Sequence, residues 1–304
     1  MRRSHQSAFT LAEVLVSIAI LSMLIVLFSQ IFSAATASTS RCTKHLDADS
    51  QARLVFDRMA DDFSNMLMRK DVDYYFSKQT PGNDTMFFFS QAPGCSGTST
   101  TPKSVTSLVG YRINPTTLQL ERLSKQLDWD GSTGTDSMVF LTYTSGTNLD
   151  LASTIATKWA TTIPPTSTDD NYRVMGDGIF RLEFCFLETP TPAGTASPYV
   201  DPPSPTPGNY PFQFTTSGTT TTVTGIVVTI AILDTTSRII APNMSGLVST
   251  LTDQTNTPPL MAWNSTIQAL DFAAKAGIPA TAASQVRVYQ RTFYFNTLPN
   301  VTIP

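Results

Sequence analysis

The sequence predicts an α+β fold: a long N-terminal helix, apolar in its first half and amphipathic in its second, packed on an antiparallel β-sheet domain. Three observations predict it. Residues 9–40 hold no Gly and no Pro, and no charge occurs from position 14 to position 40. Then Ala52, Val55, Phe56, Met59, Phe63, Met66 and Leu67 follow at steps of three and four, which puts one apolar stripe on a helix. Beyond residue 71 the chain reads as short strands broken by Gly-, Pro- and Ser-rich loops.

The apolar run is long enough, as a helix, to cross a hydrocarbon core of roughly 30 Å. With no Gly or Pro, nothing in it forces a kink. Glu13 is out of place there, because a carboxylate near the front of a lipid-facing run is costly and a plain anchor has no need of it. Asp57, Arg58, Asp61 and Asp62 fall between the apolar positions of residues 41–70 and are expected to face water. A helix from residue 9 to about 69 would be roughly 90 Å long.

Strand expectations follow in chain order. Residues 86–89 form a short apolar run after the turn Pro81-Gly82-Asn83-Asp84. Residues 108–114 and 118–123 flank Asn114-Pro115-Thr116-Thr117 and read as a hairpin. Residues 137–143 form a further strand. Residues 179–187 alternate, with Phe180, Leu182, Phe184 and Phe186 on one face and Arg181, Glu183 and Cys185 on the other, as a half-buried strand does. Residues 189–211 are dense in Pro, Thr and Ser and read as an exposed insertion. Residues 223–233 are the strongest β run, rich in Val, Ile and Thr. Residues 265–276 read as a helix capped by Asn264 or Ser265 and ended by Gly277. Residues 286–295 close the chain as a strand with Tyr289, Arg291, Phe293 and Phe295 on one face.

Composition narrows the function classes. The chain has 304 residues and a net charge of −3, with only 14 % charged residues, well below the usual quarter. A polar but weakly charged composition suits an exported, strand-rich protein. No basic excess points to nucleic acid. Outside residues 1–8, His45 is the one His, on a helix remote from any expected pocket, so Ser-His-Asp, Cys-His and His/Cys zinc sites lack a usable member. There is no phosphate-binding loop or dinucleotide fingerprint. The expectation is a protein that is not an enzyme and holds no cofactor.

Asp128, Asp130 and Asp136 offer spaced oxygens as weak calcium candidates in the loop Asp128-Trp129-Asp130-Gly131-Ser132-Thr133-Gly134-Thr135-Asp136. The EF-hand pattern is not met, and an Asp/Gly turn is the plainer reading. The three Cys are Cys42, Cys95 and Cys185. If the apolar run spans a membrane, most of the chain lies where disulfides form. Sequence order favours Cys95 with Cys185, because Cys42 follows the membrane run closely; three free thiols are the alternative.

The stretch Ala8-Phe9-Thr10-Leu11-Ala12-Glu13-Val14-Leu15-Val16 resembles the class III signal of type IV pilins and type II secretion pseudopilins. The resemblance implies a leader over residues 1–8, carrying Arg2 and Arg3, cut between Ala8 and Phe9 by a prepilin peptidase. It also implies N-methylation of Phe9 and pairing of Glu13 with the amine of a neighbouring subunit. Ala8 replaces the usual Gly before the cut, Ala12 stands where many relatives have a larger aliphatic, and the Pro found in many relatives' apolar run is absent. Residues 9–40 become a transmembrane and fibre-core helix, residues 41–70 its amphipathic continuation, and residues 71–304 a β-rich periplasmic or extracellular domain. The implied partners are the peptidase, other pilin or pseudopilin subunits and the inner membrane. The order of later elements is similar to J-type minor pseudopilins, with Tyr111-Arg112 on a hairpin and a closing Arg-Thr-Phe strand. The ending Val286-Arg287-Val288-Tyr289-Gln290-Arg291-Thr292-Phe293-Tyr294 is similar to the pilin-like cassette protein C group of Verrucomicrobia. The expected function is a minor subunit of a type IV pilus-like or type II secretion-like fibre, at the tip or initiating it. The alternative is a secreted or anchored adhesin-like β module, cut after Ala35-Thr36-Ala37 by an ordinary signal peptidase. An ordinary signal core spans about 7–15 residues, and both this run's length and Glu13 depart from it.

Overall fold

The computed structural model describes residues 10–68, 74–78, 82–92, 94–96, 99–126, 172–189, 197–202, 213–216, 219–241 and 243–295. The chain divides into two units, Met1–Asp47 and Ala48–Pro304. One helix, α1 (Leu11–Ser64), supplies residues to both.

In the first unit the apolar side chains of α1 are exposed; Leu11, Phe28 and Phe32 are 79 %, 69 % and 76 % exposed. The helix is long and apolar enough to cross a membrane. Several of its hydroxyls bond back within the helix: Ser17 Oγ donates to the Glu13 carbonyl at 2.7 Å, Thr36 Oγ1 to Phe32 at 2.9 Å and Thr39 Oγ1 to Ala35 at 3.0 Å. Such back-bonding removes the need for water that lipid cannot supply.

The second unit is built around residues 48–63 of α1 and two sheets. The seven-stranded sheet runs β1 (Tyr75–Ser77), β2 (Thr85–Ser90), β5 (Ser107–Ile113), β6 (Leu120–Gln126), β3 (Gly94–Ser96), β4 (Ser99–Ser104), with β7 (Tyr172–Gly176) also on β6. It is antiparallel except for one parallel bridge, Cys95 to Lys125. The five-stranded sheet runs β10 (Gln213–Thr216), β11 (Thr219–Ile232), β8 (Ile179–Thr189), β9 (Tyr199–Val200), with β12 (Arg287–Tyr294) also on β11. It is antiparallel throughout its described pairs.

The main core joins the α1 stripe to both sheets. Ala48, Ala52, Val55, Phe56, Met59, Phe63 and Met66 are all buried in it. Phe63 stacks on Phe88 of β2 at 5.1 Å and meets Phe293 of β12 at 5.2 Å. The opposite face of the five-stranded sheet carries a second core under short helices: α2 (Thr235–Ile239), α3 (Met244–Thr250), α4 (Leu260–Gln268), α5 (Phe272–Ala276) and α6 (Ala280–Ala283). Trp263 and Phe272 are its large aromatics.

Several expectations hold. The β5–β6 hairpin forms, and Asn114 Oδ1 accepts from the Thr116 and Thr117 N–H groups to make its turn. Phe293, Tyr289 and Phe295 of the closing strand face the main core. Gly277 ends α5 in the left-handed region, at φ 66°.

Others are corrected. Helix α1 ends at Ser64, not near residue 69, because Leu67 N–H turns to the Phe89 carbonyl and Met66 bridges Ser90. Asp62 does not face water; it is fully buried. Strand β8 is buried on both faces, since the helical layer covers the side expected to be wet. Phe180 does not share a face with Leu182, because a bulge opposite Ala231 and Ile232 sends it into the second core. The single helix expected over 265–276 is two, α4 starting at Leu260 and α5 at Phe272, with Ala269 extended between them. Within the 189–211 insertion, Tyr199 and Val200 pair with Leu187 and Phe186, so part of that stretch is a sheet edge and not a free loop. The strand expected at 137–143 lies outside the described residues.

Candidate functional site

The first turn of α1 carries the residues singled out from the sequence. Ala8 and Phe9 lie outside the described residues. Glu13 lies within them and has a local partner. Its backbone N–H donates to Thr10 Oγ1 at 3.3 Å, while the Thr10 N–H and hydroxyl donate to Glu13 Oε2 at 2.9 and 3.0 Å. This is a capping box: the residue before the first turn and the third residue of the helix satisfy each other's orphan groups. The negative charge also sits at the positive end of the helix dipole. The spacing Thr10-x-x-Glu13 is the sequence signal of this box, which gives Glu13 a use even in an isolated helix.

The box engages Oε2. Oε1 makes no hydrogen bond among the described residues. Chemically, an exposed carboxylate here can pair with an ammonium group.

A second carboxylate on the same helix, Asp62, is expected from the sequence only to face water, yet it holds a buried network. Asp62 receives Arg122 as a fork, Nε to Oδ2 at 2.6 Å and Nη2 to Oδ1 at 2.8 Å. The Tyr111 hydroxyl donates to Asp62 Oδ2 as well. Burial and the adjoining Asp62 charge push the Tyr111 hydroxyl well above its ordinary pKa. Farther up α1, Asp49 accepts from the Tyr289 hydroxyl and Asp57 pairs with Arg291 at 2.6 Å. These contacts join residues 48–63 of the helix to strands of both sheets.

The remaining candidates are dispersed. Asp128, Asp130 and Asp136 lie outside the described residues. Among the described residues no group of three or more His, Cys, Asp or Glu could hold a metal ion. Cys42 and Cys185 are free thiols, and the side chain of Cys95 lies outside the described residues. Cys185 is buried, its Sγ donates to the Val200 carbonyl at 3.3 Å, and burial pushes its pKa up to about 12. His45 is half-buried on α1.

Comparison with known proteins places a recognised motif on this end of the chain. Residues 3–29 match the family described as the prokaryotic N-terminal methylation motif. No curated protein matches the chain. Among solved structures, a type IV-like pilin from Thermus thermophilus is similar over 82 % of this chain and 96 % of its own, at 9 % identity and a TM-score of 0.35. The chain carries a prepilin-type N-terminal methylation motif on a single apolar helix long enough to span a membrane, consistent with a type IV pilin- or pseudopilin-like structural subunit.

Proposed function

We propose that this chain is a minor pilin or pseudopilin subunit, held in the inner membrane by residues 9–40 and then added to a type IV pilus-like or type II secretion-like fibre. The observation that carries this reading is the methylation motif over residues 3–29, of which residues 11–29 lie on the helix whose later turns enter the domain core. In this reading the basic leader, with Arg2 and Arg3, stays on the cytoplasmic side. A prepilin peptidase cuts between Ala8 and Phe9, and the new Phe9 amine is methylated. Glu13 then meets the Phe9 amine of a neighbouring subunit, each charge being costly alone in apolar surroundings and favourable as a pair. The domain beyond residue 71 faces the periplasm or the outside of the fibre. An initiating or tip position fits the likeness of its element order to J-type minor pseudopilins.

Mass spectrometry of the protein from its own host tests the reading. A mature chain that begins at Phe9 and is heavier by one methyl group is the expected result. A chain that begins at Ser38 would make it a secreted β module instead. Ala8→Gly is expected to speed cleavage, and unchanged or slower processing would count against Ala8 as the residue before the cut.

A further inference from the structure

A buried cluster of charges lies far along the sequence from the first turn of α1. Arg181 on β8 is fully buried. Its Nη2 meets Glu183 Oε1 at 2.7 Å and also Asp253 Oδ1. Its Nε donates to the Leu251 carbonyl at 3.1 Å, and Nη1 to the Gly82 carbonyl. Its guanidinium lies 5.1 Å from the Trp263 ring, whose Nε1 donates to the Thr252 carbonyl at 2.9 Å. Asp84, at the start of β2, is also fully buried. Asp84 Oδ2 accepts from the Phe184 N–H at 2.9 Å, but Oδ1 has no partner. Lys78 at the edge pairs with Asp201 at 3.3 Å and donates to the Gln254 carbonyl at 3.1 Å.

The charge count does not balance. Four carboxylates, Asp84, Glu183, Asp253 and Asp201, face two cations, Arg181 and Lys78. Glu183 and Asp253 both meet Nη2 of Arg181, so the two carboxylates crowd each other, and a proton on one of them relieves the repulsion. Fully ionised, the cluster would bury uncompensated negative charge, and buried groups take up a proton before accepting that cost.

The segment held by the cluster is residues 251–257, which connects α3 to α4. Arg181 grips it through Leu251 and Asp253, Lys78 through Gln254, and Asp201 through Asn256, with Asp201 N–H to Asn256 Oδ1 at 2.9 Å and Asn256 N–H to Asp201 Oδ1 at 3.1 Å. We propose that Asp84, Glu183 and Asp253 form a proton-binding latch: while the cluster keeps its proton, residues 251–257 are locked onto β8, and loss of the proton on raising the pH releases them. The groups facing the latch are Lys78 beyond β1, Asp84 at β2, Arg181, Glu183 and the Cys185 thiol on β8, Asp201 beyond β9 and Asp253 itself. This inference does not depend on the pilin reading.

The direction of the effect follows from linkage. Burial pushes the Asp84 carboxyl from 3.8 up to about 7, against the Phe184 N–H, Lys78 and Arg181. Burial also pushes Glu183 from 4.5 up to about 9, against Arg181 and with the Asp253 contact. Between their ordinary and folded values the folded chain holds more protons than the unfolded one. The stability these groups permit is therefore present at acid pH and is lost as pH rises through the folded values.

The test uses the full chain in detergent micelles. The carboxyl carbons of the wild type are titrated by NMR, and hydrogen exchange of residues 251–257 is followed from about pH 6 to about pH 9, a window that spans the shifted carboxyls. The expected result is at least one carboxyl titrating near or above neutrality, with exchange of 251–257 rising more steeply with pH than the intrinsic rate as that carboxyl loses its proton. Glu183→Gln and Asp84→Asn should each flatten both the exchange profile and the fall of Tm with pH. If every carboxyl titrates in the ordinary acid range, or exchange of 251–257 rises with pH only as the intrinsic rate does, so that its protection stays constant, the latch is refuted. A variant that fails to fold leaves the decision to the wild-type titration, which needs no substitution.

Discussion

Glu13 and Asp62 are two carboxylates on one helix, and their surroundings differ in kind. Asp62 is sealed inside the domain and has its counter-charge supplied by the same chain, as a fork from Arg122 with Tyr111 beside it. Glu13 is exposed and bonds to Thr10. Arg58, one turn from Asp62 at 3.7 Å and 40 % exposed, adds little to the first site because water screens it. The difference shows which carboxylate serves the fold and which remains open to another molecule. A buried charge with its partner removed is heavily penalised, while an exposed one in the same helix is free to acquire a partner later.

The largest expected effect breaks the Asp62 side of the comparison. Asp62→Ala leaves Arg122 buried without its counter-ion and should cost about 3–5 kcal/mol of domain stability. Asp62→Asn keeps acceptors for Tyr111 and Arg122 and should cost less. Denaturant titration checks both; an Asp62→Ala chain as stable as wild type would mean that water or relaxation replaces the network.

Next is a pair of phenylalanines that repeats the contrast with apolar groups. Phe63 is buried against Phe88, Tyr111 and Phe293. Phe63→Ala should cost about 3–5 kcal/mol, the usual range for emptying such a site. Phe28 is 69 % exposed on the first unit, and Phe28→Ala should leave the domain's unfolding unchanged. Equal losses in the two variants would mean that the two parts of α1 share one folding core.

A smaller effect separates the thiols. Cys42 is exposed and Cys185 buried. Maleimide labelling followed by peptide mapping should modify Cys42 in the native chain and Cys185 only after unfolding, because the buried thiol is both shielded and held protonated. Prompt native labelling of Cys185 would show that β9 lifts readily from β8.

How much of this is legible in the sequence depends on how local the signal is. The α1 stripe, the β5–β6 hairpin and the Gly277 cap rest on periodicity or on turn chemistry within a few residues, and they are readable. Asp62 is harder. It lies three residues after Met59 and four before Met66, so its position on the stripe can be counted, but its partners Tyr111 and Arg122 come from strands 49 and 60 residues away with no local mark. A buried acid is therefore indistinguishable from a solvated one until the strands are placed. Phe180 fails for another reason: one bulge shifts the strand's alternation, and nothing in residues 179–182 announces it. At the candidate site, the methylation signal and the Thr10-x-x-Glu13 box are both written in consecutive residues. The proton-sharing cluster is assembled from β2, β8 and the segment beyond α3, and has no sequence signature.

The last prediction concerns the smallest effect on stability and tests whether Glu13 serves the helix or a neighbour. Glu13→Ala should leave domain unfolding, export and cleavage unchanged, since insertion tolerates Ala better than a carboxylate and the domain core lies beyond residue 47. If the capping box is its whole purpose, Thr10→Val should reproduce the Glu13→Ala phenotype, because removing the hydroxyl breaks the bonds through Thr10 Oγ1 from the other side. If Glu13 pairs with a neighbouring Phe9 amine, Thr10→Val should still enter the fibre, because the carboxylate and its unengaged oxygen remain. Glu13→Ala should not enter, because the incoming ammonium would be left unpaired in apolar surroundings. Glu13→Gln, which keeps an acceptor but no charge, should fall between. Crosslinking or co-purification of each variant with the major fibre subunit reads the outcome directly. Equal incorporation of Glu13→Ala and wild type would remove the pairing role, and equal loss in Glu13→Ala and Thr10→Val would assign the defect to the cap.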